Sequence, residues 1–317
     1  MAKAKDQAAP EKFKTTIGGQ ALIEGIMMRG PVTSAMAVRL PDGSIDLSEW
    51  PTSPGGTIPW YKKTCFVRGI FNLVDTLKVG FSCLMKSADL AGMEEEQPSK
   101  FEEGLAKLLG ANVNKVMNTV AVVMGLGLAL LLFVVIPTGV TSLLRPFVQA
   151  GWLLSLIEGV VKVGIFVCYL ALSTRVPDVK RLFSYHGGEH KTIACYEAGE
   201  VLSVENARIY SRFHPRCGTS FLFLVLIISV LVSSLISWNN PLLRMGLKLL
   251  SIPVVVGIAY ELIKLAGRYS NPVTRAISAP GLWLQRLTTA EPDDNMLEVA
   301  IAAMKAVIPE DSNADNW

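Results

Sequence analysis

Apolar and polar stretches alternate along the chain, dividing it into membrane-length segments and polar connections. Four stretches approach the roughly 20 apolar residues a helix needs to cross about 30 Å of hydrocarbon. They run over Val116–Ile136, Gly151–Leu172, Thr219–Trp238 and Leu243–Leu265. The first and third are uncharged, and the first is expected to end at Pro137, which cannot continue a helical ladder. The second contains Glu158 and Lys162. The fourth is the weakest, with Arg244, Lys248, Glu261 and Lys264 inside it or at its margins.

Basic residues orient these spans. Residues 1–115 hold 14 Lys and Arg, residues 173–218 hold 7, and the tail from Arg268 holds 4. The connections 137–150 and 238–242 hold only Arg145 between them. Four crossings put the three basic segments on one side, which the positive-inside rule makes the cytoplasm. The expectation is a multi-pass protein of a bacterial plasma (inner) membrane with both termini cytoplasmic. Residues 1–20 are polar, without an apolar h-region, so no signal peptide is expected.

In the polar segments the pattern changes period. Residues 1–14 read as a disordered tail. Ser34–Leu40 and Ile45–Ser48 flank the turn residues Pro41-Asp42-Gly43-Ser44, a hairpin signal. Gly18, Gly19, Gly25 and Gly30 point to tight turns or close backbone approach, and a Pro/Gly-rich connection follows over 51–59. From Phe66 to Leu90 apolar residues recur at helical spacing, with Lys62, Lys63, Arg68, Lys78 and Lys86 among or beside them. Such a helix either packs on the protein's own β-elements or lies in the interface with its cations toward anionic lipid. Glu94–Glu96 and Glu102–Glu103 read as a solvated loop and a helix start. A last helix is expected over Pro292–Val307, with Pro292 in its first turn and Asp293 and Asp294 complementing the dipole.

Composition agrees with the pattern. Half of the 317 residues are hydrophobic and 18% are charged, too few for an ordinary soluble enzyme. The net charge of +3 does not suggest a nucleic-acid partner. Five cysteines without a C-x-x-C make no disulfide framework and fit a reducing compartment. No G-x-G-x-x-G or Walker pattern supports nucleotide binding.

The candidate chemistry sits with the only three histidines. His186-Gly187-Gly188-Glu189-His190 has the form of the inverted zinc-protease motif. If 177–198 is helical and stopped by Gly199, His186 and His190 share one face a turn apart. Two imidazoles there can bind one ion, and Glu189 can deprotonate a metal-bound water. His214 or Cys217 would supply the third corner of an N/S set suited to Zn²⁺. Gly187-Gly188 weakens helix propensity at the point where a helix is needed. Without a metal, His214 and Cys217 could still pair as base and nucleophile. Glu158 and Lys162, four apart on one face, are expected to form an ion pair, or else a polar patch facing a bundle interior. Glu261 and Lys264 lie near a span's end and can snorkel.

Four segments together resemble the bacterial YqhQ-like family, domain of unknown function 1385: GGQALIEGIMMRGP (18–31), YHGGEHKTIACYEAGE (185–200), VENARIYSRFHPRCGTSF (204–221) and TTAEPDDNMLEVAIAAMKAV (288–307). The resemblance implies an integral membrane protein with metal-dependent chemistry and no assigned reaction. It points to His186, Glu189, His190, His214 and Cys217, and adds Gln20, Glu24 and Arg29 as residues that line the site, or in which Glu24 and Arg29 form a structural ion pair.

The fold class expected is an α-helical integral membrane protein of about four transmembrane helices. Its segments are 15–115 (a cytoplasmic α+β region), the spans 116–136, 151–172, 219–238 and 243–265, the His/Cys loop 173–218, and a tail 266–317 with an amphipathic helix. The function expected is a Zn²⁺-dependent, hydrolase-like activity at the cytoplasmic membrane face, with Glu189 as catalytic base. The alternative is a non-catalytic scaffold or membrane-protein biogenesis factor, with a membrane-protein partner and a structural histidine cluster.

Overall fold

The computed structural model describes residues 13–53, 60–93, 99–110, 112–269 and 271–315. Most of the expected N-terminal tail, most of the 51–59 connection and Glu94–Glu96 lie outside the described residues. The chain forms two compact units: 1–93, 170–225 and 253–317 make the first, 94–169 and 226–252 the second.

In the first unit, β1 (Gly18–Leu22), β2 (Gly25–Arg29), β3 (Thr33–Arg39) and β4 (Ile45–Pro51) form an antiparallel meander in sequence order. The expected hairpin is β3–β4. Its turn is closed by Leu40 N–H to the Ser44 carbonyl at 2.9 Å, with Gly43 at φ 87°. The β1–β2 hairpin was not legible, because its two-residue turn uses Ile23 and Glu24 where glycine or asparagine is usual. Glu24 takes a left-handed φ of 50° there, and its carbonyl accepts from Arg39 N–H at 2.7 Å.

Strands β2 and β3 are covered on both faces. Ile26, Met28, Ala35 and Ala37 point into one core with Leu297, Ala300 and Met304, while Met27, Met36 and Val38 point into another with Leu22 and Cys83. Side chains alternate across a strand, so two covered faces give continuous apolar runs rather than an alternating pattern. Helix α1 (Val67–Leu90) covers the second face through Cys83, and α6 (Pro177–Glu197) and α11 (Asp294–Val307) cover the first. Helix α1 therefore packs on the protein's own sheet and still leaves Phe71, Val74, Leu77 and Phe81 exposed as a stripe. Pro292 precedes α11 rather than opening it. Asp293 is the N-cap and accepts from Met296 N–H at 2.9 Å.

Helix α6 (Pro177–Glu197) matches the helix expected over 177–198. Helix α6 ends at Glu197 before left-handed Gly199, α7 spans only Val204–Arg208, and no helix covers 209–217. Helix α10 (Pro272–Thr288) was missed, since Pro280 and Gly281 interrupt its pattern; Asn271 and Thr274 start it with a reciprocal capping box. Glu261, on α9 (Pro241–Arg268), pairs with Arg68 instead of reaching for solvent alone.

The second unit contains α2 (Lys100–Leu109), α3 (Val113–Leu130), α4 (Ile136–Leu144), most of α5 (Gly151–Ser173) and parts of α9 and of α8 (Gly218–Ser234). Among the described residues, three helical runs are long and apolar enough to cross a membrane: Val113–Leu144, Gly151–Ser173 and Pro241–Arg268. The first does not stop at Pro137. A π turn at Leu131–Val135 loosens the ladder just before the proline, so the missing N–H is absorbed without ending the helix. Helix α8 has 17 residues, about 25 Å at helical rise, and falls short of the length expected from 219–238.

The Glu158–Lys162 pair is not formed. The Glu158 carboxylate accepts from Arg244 Nη2 at 2.9 Å, from Thr138 Oγ1 at 2.8 Å and from Lys248. Lys162 instead donates to Ser229 Oγ at 3.1 Å. Partners on α4 and α9 that approach Glu158 across helices displace the in-helix neighbour, a choice sequence spacing cannot reveal.

Candidate functional site

The site is built on α6 of the first unit. Its double glycine, which argues against a helix by propensity, is a packing device. A β carbon on Gly187 would collide with the Ala290 carbonyl, and one on Gly188 would touch Pro292 at 3.5 Å. The bare helix surface lets the 290–300 segment lie against it, and tertiary contact overrides the propensity cost. With α6 intact, His186 and His190 fall on one face with ring centroids 4.4 Å apart.

A main-chain carbonyl fixes each imidazole. His186 Nδ1 donates to the Thr288 carbonyl at 2.8 Å, and His190 Nδ1 donates to the Arg212 carbonyl at 2.6 Å. A carbonyl can only accept, so both Nδ1 atoms carry protons and both Nε2 atoms are left for another partner. Cys217 Sγ, at the start of α8, lies 3.1 Å from His186 Nε2 and accepts from Thr219 N–H at 3.5 Å. One ligand atom from each of His186, His190 and Cys217 lies within 4.8 Å of the others. A tetrahedral N/S set has edges of about 3.5 Å, so small side-chain adjustments would close the three atoms on an ion.

Electrostatics prepare the thiol. Burial alone would push Cys217 up, but the charges of His190 and His186 hold it well below the ordinary thiol value. Burial likewise disfavours charging His186, yet the facing Cys217 sulfur raises the imidazole to about 9. Without a metal, a thiolate accepting from His186 Nε2–H is favoured, at a helix start where N–H groups favour negative charge; metal binding at Nε2 would displace that proton.

Glu189 is buried next to this group. It takes one hydrogen bond from Gly19 main chain, and burial raises its pKa against the pull of His186 and His190. Its Oε2 and the Nε2 of His190 are buried without a hydrogen-bond partner. Orphaned polar atoms are costly in an interior, and here two adjoin a thiolate.

Of the two residues expected to complete the triangle, Cys217 stands with the pair and His214 does not. His214 Nε2 turns to Glu197 Oε2 at 3.5 Å, and its main chain is clamped by Gln285 through two 2.7 Å bonds. Its ring stacks behind His190 at 5.6 Å. Burial lowers its pKa, while Glu197, itself held low by His214 and Arg216 against its own burial, braces the layer.

Gln20, Glu24 and Arg29 do not join the cluster. Glu24 binds Arg181 and accepts from Tyr185 Oη at 3.1 Å, so the alternative Glu24–Arg29 pair is absent. Gln20 and Arg29 line a cavity of ≈490 Å³ together with Thr16, Gly18, Gly19 and Gly30. Gly19 is common to both places: it walls the cavity and donates to Glu189. Sequence reasoning missed the Thr288 and Arg212 carbonyls, which leave no residue-type signal. It also missed Thr219, which the spacing Cys217-x-Thr219 ahead of an apolar helix could have suggested.

Residues 64–310 match the family described as "Protein of unknown function (DUF1385)". Over 298 residues the chain is 32% identical to the uncharacterized protein YqhQ of Bacillus subtilis (strain 168), covering 94% of this chain and 93% of that one. No solved structure matches. The family match contains the whole of α6 together with His214 and Cys217, and the YqhQ likeness extends over nearly the full length. The chain belongs to the DUF1385 family.

Proposed function

We propose that this protein is a membrane-anchored, metal-dependent enzyme of hydrolase type whose site faces the cytoplasm. His186 Nε2, His190 Nε2 and Cys217 Sγ would hold one Zn²⁺ ion. The observation that carries this is the convergence of two imidazole Nε2 atoms and a thiolate, with each Nδ1 already engaged by a carbonyl. That carbonyl–histidine arrangement orients metal-ligating imidazoles in general. A bound zinc would supply a Lewis acid that brings the pKa of a water toward 7. Glu189 would accept the proton at its unpartnered Oε2. The cavity beyond Gly19 would receive substrate, with the guanidinium of Arg29 in its wall.

The membrane reading rests on the three long apolar helices and on the basic bias of residues 1–115, 173–218 and 268–317. Residues 170–225 and 253–317 fold into one unit with the N-terminal sheet. Sharing one side requires an even number of crossings between them, which supports a crossing by α8 together with α9. Both termini would then be cytoplasmic, in a bacterial plasma membrane.

A second reading, a non-catalytic membrane scaffold or biogenesis factor, is favoured by one feature. His190 is only 1% exposed, and structural zinc sites are closed. Metal analysis of protein purified without a histidine tag separates the readings. Near-stoichiometric zinc that is lost in His186→Ala supports a metal centre, and its absence from every preparation rejects one. Glu189→Gln that keeps zinc but loses function in the cell supports catalysis; if function persists, the ion is structural.

A further inference from the structure

We infer that the second unit carries a binding site for a phosphate-class anion, at the end formed by residues 145–151 and 234–241. The argument begins with charge. Among the described residues of the second unit, Lys162, Arg244 and Lys248 are buried at 5%, 1% and 6% exposure, against a single buried carboxylate, Glu158. Glu158 bridges Arg244 and Lys248, and Lys162 donates to the neutral hydroxyl of Ser229 rather than to a carboxylate among the described residues. Counted by formal charge, these groups leave two positive charges in excess inside apolar, membrane-length helices. Uncompensated charge is expensive in a low-dielectric interior, and ionisable residues within spans mark ligand or ion sites. Arg244 also keeps a donor in reserve, for its buried Nε has no partner.

A cavity stands beside this cluster. It measures ≈560 Å³ and is lined in part by Arg145, Gln149, Ile236, Ser237, Trp238 and Asn239. Two of those residues also enclose Arg244: the Trp238 ring lies 3.8 Å from its Cζ, and the Ile236 carbonyl accepts from its Nη1. Arg145 reaches across to the Asn239 carbonyl at 3.3 Å. An anion in the cavity would be held by Arg145 and by the polar groups of 237–239. Arg244, enclosed by the cavity residues Trp238 and Ile236, and the cations behind it on α5 and α9 would select its sign, since charges interact strongly where water is excluded.

The surroundings set the class of ligand. Trp152 and Trp238 line the cavity and Phe147 is exposed nearby, the aromatic signature of head-group depth. A phosphodiester or phosphate group matches that depth, and an arginine fork matches its oxygens. The source is either the head group of an anionic phospholipid or free phosphate.

The test uses the full-length protein in neutral detergent, with native mass spectrometry after adding phosphatidylglycerol or phosphatidylcholine and calorimetric titration with inorganic phosphate. Phosphatidylglycerol should be retained at least about tenfold better than phosphatidylcholine, and Arg145→Gln should remove about that factor. Lys162→Met lies off the cavity wall and should weaken binding by a smaller factor with the helical circular dichroism unchanged. Binding of inorganic phosphate alone assigns the site to the free anion; competition by phosphate without retention of its own assigns it to the lipid. Equal retention of the two lipids with no phosphate binding overturns the proposal. So does anion binding that is indifferent to both Arg145→Gln and Lys162→Met.

Discussion

Gly19 on β1 and Glu189 on α6 are packed so closely that a β carbon on the glycine would stand 2.9 Å from Glu189 Cδ. It would also stand 2.8 Å from the Met27 carbonyl oxygen, which cannot rotate away. Gly19→Ala should therefore destabilise the first unit by about 1–3 kcal/mol, as overpacking does, and should push the carboxylate off its position. Thermal unfolding followed by tryptophan fluorescence checks the first effect. Zinc retained with lower cellular function checks the second.

The buried charges make an asymmetric prediction. Removing Glu158 strands Arg244 and Lys248 together, and breaking such buried pairs costs about 3–5 kcal/mol. Glu158→Ala should lower the melting temperature in detergent sharply, whereas Lys162→Met, which removes an uncompensated charge, should be neutral or stabilising. Equal losses from both would restore the in-helix pair expected from sequence spacing.

Acid should weaken the first unit through the layer behind the cluster. Burial lowers His214 from 6.5, so the unfolded chain binds a proton first, and stability falls as pH drops below about 6.5. Glu197 is lowered from 4.5; its contribution is present above that value and is lost as pH falls through the folded one. The signs agree. His186, raised from 6.5 to about 9, contributes stability below 6.5 that is lost as pH rises toward 9, so it does not flatten the acid limb. In metal-free protein the melting temperature should drop as pH falls below about 6.5, and His214→Gln should remove the first part of that drop.

The proposed topology can be read by thiol labelling. Cys65 is exposed in the first unit, and Asn239 lies in the α8–α9 connection. A membrane-impermeant maleimide should label Asn239→Cys in intact cells and Cys65 only after lysis. Labelling in the reverse order would invert the orientation.

What the sequence could and could not disclose divides along physical lines. Local signals held: the Pro41–Ser44 turn, the helical spacing from Phe66 to Leu90, and the His186/His190 face of α6 all depend on neighbours within a few residues. The misses needed distant partners. Glu158 chose Arg244 and Lys248, 86 and 90 residues along the chain, over Lys162. Cys217 rather than His214 faces the imidazole pair because Gln285 and Glu197 hold His214 aside. Gly187 and Gly188 looked like helix breakers until their contacts with the 290–300 segment explained the absence of side chains.

Zinc-edge X-ray absorption on untagged protein tests the metal centre most directly. The predicted first shell has two nitrogen scatterers at about 2.0–2.1 Å and one sulfur at about 2.3 Å, with the sulfur lost in Cys217→Ala. A shell of light atoms alone, unchanged by that substitution, would contradict a site built from His186, His190 and Cys217.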